Sequence, residues 1–159
     1  MNMGNPIFLQ NNNQIDNQYE LQRLRQMLDY TIRNKMTSLE IYNKLINGSP
    51  DQFSSNLLEI LRMNEEQSLY NLNTFYISTY GTTPDIVITP QETFYTTYQD
   101  GLLLALRLKS DGIVLDRTFI SMLGENEPGK PLYEQVHAID LEQENIIRTL
   151  IEHYEIYSR

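Results

Sequence analysis

Leu21, Leu24, Leu28, Thr31, Lys35, Ser38, Tyr42 and Leu45 recur at alternating three- and four-residue steps, the spacing that sets side chains on one stripe of an α-helix. Leu58, Leu61, Glu65, Ser68, Leu72 and Phe75 repeat the pattern, as do Leu102, Ala105, Lys109, Gly112, Asp116, Phe119 and Leu123. A fourth stripe reads Leu132, Val136, Ile139, Ile146, Leu150 and Tyr154, with Glu142 inside it and Asn145 one turn on. Four such stripes predict an all-α four-helix bundle. Each seam is broken near its middle by polar residues: Lys35, the Glu65/Ser68 pair, Lys109, and the Glu142/Asn145 pair. Burying such groups alone costs several kcal/mol, so they are expected to meet inside the fold.

Capping signals place the boundaries. Asn17 with Glu20 forms a capping box that opens helix 1 at about residue 18, and Asn47-Gly48 closes it after Ile46. Ser49, Pro50 and Gln52 supply the next N-cap, first position and box. The turn is short, so helices 1 and 2 are antiparallel neighbours. Helix 2 stops near Tyr80-Gly81. Residues 82–89, with β-branched Ile86-Val87-Ile88, read as an extended connector along the bundle side. At roughly 3.3 Å per residue it can return the chain to the far end, making a crossover between helices 2 and 3. Thr89 and Glu92 form another box, with a separate turn over 91–98; Gly124 ends helix 3 and Pro131 opens helix 4. Residues 1–16, rich in Asn and Gln, read as a polar leader, leaving 17–159 as the bundle.

Composition narrows the function. A net charge of −9 disfavours binding to nucleic acid phosphates. With no cysteine, disulfides, thiolate metal sites and a catalytic thiol are excluded, which suits a reducing cytoplasm. Neither a signal peptide nor an apolar run of membrane-spanning length is read.

The two halves echo each other. Lys35 precedes Glu65-x-x-Ser68 by thirty residues, and Lys109 precedes Glu142-x-x-Asn145 by thirty-three. The run Leu61-Arg62-Met63-Asn64-Glu65-Glu66-Gln67-Ser68, continuing to Phe75-Tyr76 and Tyr80-Gly81, resembles the rubrerythrin-type segment of bacterial ferritin-like proteins. Tyr98 to Arg117, with Asp100-Gly101-Leu102 and Ala105-Leu106, is similar to the third helix of that family, and Ile139 to Asn145 to its last ligand segment. The resemblance covers about residues 18–157. It implies a ferritin-like bundle whose six di-iron ligand positions are Lys35, Glu65, Ser68, Lys109, Glu142 and Asn145. Lysines replace two glutamates there, and Ser68 and Asn145 replace two histidines. Two ammonium groups and two carboxylates balance without metal, so an ion-pair cluster is expected in place of iron. Asp116, also on a seam, is a candidate extra acid.

The reading that follows is a non-catalytic bundle with a structural or protein-interaction role, as a homodimer or with another protein partner, and without cofactor. The alternative is an iron- or manganese-dependent oxidoreductase or metal-storage protein with an altered site. A third reading, a small-molecule binder, requires a core cavity lined by Tyr42, Leu72 and Phe119. Glu134-x-x-His137 has metal-ligand spacing but no partner pair, and His153 near a helix C-terminus suits the dipole. By analogy, a bacterial spore or stress protein also fits such a chain.

Overall fold

The structure, a computed structural model, describes the backbone of residues 6–158 and the side chains of residues 16–158. Four helices carry the fold: α1 (Pro6–Asn47), α2 (Gln52–Tyr80), α3 (Tyr98–Met122) and α4 (Gly129–Tyr157), with a 3-10 turn at Pro90–Thr93. No strand occurs among the described residues. α1 starts at Pro6, well before the capping box at Asn17, so the helix runs through residues 6–16. Ile7, Phe8 and Leu9, the apolar patch through which the leader is expected to dock, lie outside the described side chains.

The helices are arranged by the burial of their stripes. α1 packs against α2 and α3, and α4 against α3 and α2. The core falls into two apolar clusters. One holds Leu28, Ile32, Leu72, Tyr76, Phe119, Tyr133 and Val136. The other holds Ile41, Tyr42, Leu45, Leu58, Leu61, Leu102, Ala105, Ile147 and Leu150. Along α1 and α4 the chain passes from the first cluster to the second, and along α2 and α3 from the second to the first. Packed neighbours are therefore antiparallel, and the α2–α3 connection must run the length of the bundle. It does so along α1. Arg33 donates through Nε and Nη2 to the two oxygens of Glu92 at 2.9 Å each, and Lys44 Nζ donates to Thr93 Oγ1 at 2.7 Å.

Local chemistry sets the ends. Gly81 ends α2 in the left-handed region (φ 70°), its N–H donating to Ile77 O at 2.8 Å, a conformation that glycine adopts without a Cβ penalty. The Thr89/Glu92 box opens only the 3-10 turn; α3 begins at a second box, Thr97 with Asp100. The N-cap of α2 is Asp51, not Ser49: Asp51 Oδ1 accepts from Ser54 N at 2.7 Å. Asp51 Oδ2 also lies 2.9 Å from His153 Nε2, and that ring packs between Phe53 and Tyr157. Asp51→Ala is expected to cost about 1 kcal/mol in thermal unfolding, with Asp51→Asn recovering most of it, because the loss is that of a cap acceptor.

Tyr42 belongs to one apolar cluster, and Leu72 and Phe119 to the other. A polar layer separates the two clusters.

Candidate functional site

That layer takes one side chain from each helix. Lys35 on α1, Glu65 on α2, Lys109 on α3 and Asp140 on α4 are each no more than 1% exposed. Each sits mid-helix on its inward stripe, where the apolar turns on both sides fix the backbone. Lys109 Nζ donates to Glu65 Oε1 at 3.0 Å and to Asp140 Oδ1 at 2.9 Å. Lys35 Nζ donates to Asp140 Oδ1 and lies 3.7 Å from Glu65 Oε2. Two ammonium groups and two carboxylates thus alternate around one ring, every cation touching both anions.

The ring's electrostatics follow from that alternation. Burial pulls the Lys109 ammonium down, but Glu65, Tyr42 and Asp140 outweigh it and hold the group well above the usual lysine range. Burial pushes the Asp140 carboxyl up, and Lys109 and Lys35 together bring it below the ordinary aspartate value. Asp116, two turns along α3 from Lys109, is 1% exposed. Burial, reinforced by the Asp140 carboxylate, pushes it up to about 8. That direction favours the neutral acid, leaving the two lysines of the layer facing the Glu65 and Asp140 carboxyl groups. Burial likewise raises the Tyr42 hydroxyl.

Of the residues expected at the centre, Lys35, Glu65, Ser68, Lys109 and Asp116 are buried. Glu142 and Asn145 are exposed and face away from it. Asp140 and Gln143 take the inward positions instead, because the buried stripe of α4 is Tyr133, Val136, Asp140, Gln143, Ile147 and Leu150. Leu132, Ile139 and Ile146, read as the stripe, form its half-buried flank. A signal for Asp140 was present: it follows Lys109 by thirty-one residues, close to the thirty that separate Lys35 from Glu65. Asp140-x-x-Gln143 repeats the spacing of Glu65-x-x-Ser68. Gln143 Nε2 donates to Leu61 O at 3.3 Å, tying α4 to α2 beside the ring. Glu134 is exposed and His137 half-buried on α4, outside this layer.

No family model matches the chain, and no curated protein does. A solved structure does match: the crystal structure of a two-domain protein from Anabaena variabilis containing DJ-1/ThiJ/PfpI-like and ferritin-like domains. The TM-score is 0.67 at 15% identity, over 84% of this chain and 37% of that one. The fold is ferritin-like. The chain spans little more than a third of that protein's length.

Ferritin-like di-iron sites are built from one Glu on each of two helices and Glu-x-x-His on each of the other two. The donors in this ferritin-like bundle do not fit such a pair of ions. Glu65 and Asp140 converge, with Asp116 next to Asp140, and the oxygens of Glu65 and Asp140 face ammonium groups that repel a divalent cation. Among the described residues, no group of three or more His, Cys, Asp and Glu side chains could hold a metal ion. Nor is any helix among them long and apolar enough to cross a membrane.

Proposed function

We propose that this protein is a non-catalytic ferritin-like bundle that has exchanged a di-iron centre for an internal ion-pair ring, and that it serves a structural or protein-interaction role. The observation that carries the reading is the position of Lys35 and Lys109. Their ammonium groups lie between the two carboxylates, as a pair of cations would. Ser68 and Gln143, three residues after Glu65 and Asp140, stand where a Glu-x-x-His pattern has its histidines. Charge is balanced by the chain itself, so the bundle needs no metal to close its core.

The test combines metal analysis with a reversal. The purified wild-type protein should carry no stoichiometric iron, manganese or zinc, and its melting temperature should not move when Mn²⁺ or Zn²⁺ is added. The fourfold variant Lys35→Glu, Ser68→His, Lys109→Glu and Gln143→His restores a carboxylate and histidine donor set, and should take up about two metal ions per chain. Stoichiometric iron or manganese in the wild type would overturn the proposal in favour of a metal-dependent oxidoreductase or storage protein.

A further inference from the structure

The opposite side of α2 carries a second, independent pattern. Phe53, Asn56, Ile60, Met63, Gln67, Tyr70, Thr74 and Ile77 alternate at three- and four-residue steps, and all eight are exposed. None is charged, in a chain whose net charge is −9. This is the a/d spacing of a coiled-coil seam, pointing directly away from the ion-pair ring. The α2–α3 connection runs along α1 instead and leaves this face uncovered apart from the His153 ring against Phe53.

We infer that the outer face of α2 is a homodimer interface, on which a second copy of this chain packs antiparallel about a two-fold axis between Met63 and Gln67. The argument for a second copy is the near-palindromic order of the stripe. Read antiparallel, Phe53 meets Ile77, Asn56 meets Thr74 and Ile60 meets Tyr70, apolar on apolar and polar on polar, while Met63 meets Gln67 on either side of the axis. An isologous contact requires such self-matching, and antiparallel packing also opposes the two helix macrodipoles. The charges on the flank are countered within each protomer: Arg62 donates to Glu59 at 2.8 Å and to Glu66 at 2.7 Å. The other flank presents the neutral Asn64 and Asn71. The stripe is about 36 Å long at helical rise. Its five apolar side chains are 43–68% exposed and offer on the order of 400 Å². With the polar members and flanks, this approaches the roughly 800 Å² per partner of a standard interface.

The inference gives the proposed interaction role a surface and a partner, and it fails separately from the metal-free core. Metal uptake would leave the dimer standing, and a monomer would leave the ring metal-free. Light scattering on the eluting protein should give twice the chain mass of 18.7 kDa. Ile60→Glu should give a monomer with unchanged helical circular dichroism, while Val114→Glu on the exposed face of α3 should remain dimeric. The natural chain lacks cysteine, so cross-linking reads the geometry cleanly. The double variant Ile60→Cys/Tyr70→Cys should oxidise to a covalent dimer, whereas Ile60→Cys alone should not. A monomeric wild type, a dimer indifferent to Ile60→Glu, or efficient cross-linking through Ile60→Cys alone would each overturn it.

Discussion

Lys109→Met is expected to lower the unfolding free energy by about 3–5 kcal/mol, which for a chain of this length is roughly 10 °C or more in melting temperature. The substitution conserves packing length but removes the ammonium that both Glu65 and Asp140 face. Two carboxylates are then left in a layer with 1% exposure or less and a single cation between them. The penalty comes from the stranded charge, not from the net worth of the pairs, since desolvation consumes most of what a buried ion pair gains. Removing all four charges at once should therefore be far milder. A variant with Lys35→Met, Glu65→Leu, Lys109→Met and Asp140→Leu should melt near the wild type, or above it. The single variant should also recover on acidification, because a stranded carboxylate can become neutral by binding a proton. Thermal unfolding of both variants at pH 5 and pH 7 makes the comparison. Equal losses in the single and fourfold variants would show that the four groups do not act as one ring.

How much of this was legible beforehand differs between helices for physical reasons. The seam of α3 was readable in full: Leu102, Ala105, Lys109, Gly112, Asp116, Phe119 and Leu123 are all buried, because exposed polar neighbours such as Arg107, Asp111 and Arg117 bracket the stripe. α4 misled because apolar residues flank its true stripe. Leu132, Ile139 and Ile146 lie one position before Tyr133, Asp140 and Ile147, and the greasier series drew the register toward Glu142. Hydrophobic spacing alone cannot choose between two such rows when the inner one is polar at its centre. The near-equal interval from lysine to acid in the two halves could. Long-range partners were invisible to local spacing, as with Arg33 on Glu92 and Asp51 on His153. The start of α1 was missed because Asn17 and Glu20 are good capping residues that also tolerate a helix interior.

Asp116 supplies the second large effect, and its sign is opposite to that of an ion-paired carboxylate such as Asp140. In the unfolded chain this carboxyl ionises near 3.8; in the fold, burial and the Asp140 carboxylate beside it push it up to about 8, against the opposing pull of Lys35 and Lys109. Between those values the unfolded state has released a proton that the folded state keeps. Stability is then lost as pH rises from about 4 to about 8, at up to about 1.4 kcal/mol per unit. Below 3.8 both states hold the proton and the contribution is fully present. Asp140 works the other way: its lowered value gives stability that exists above 3.8 and disappears as pH falls through the folded value. The two slopes place the optimum near pH 4–5, more acidic than for most proteins. Asp116→Asn keeps the shape and removes the proton. Urea unfolding should find this variant more stable than the wild type by roughly 3 kcal/mol or more at pH 8, with the gap shrinking toward pH 5. A wild type equally stable at pH 5 and pH 8 would mean that Asp116 is ionised in the fold, making a third anion against two ammonium groups. The layer would then carry an unbalanced negative charge of the kind a bound cation neutralises. The pH profile of this one carboxyl therefore tests the self-balanced ring as directly as metal analysis does.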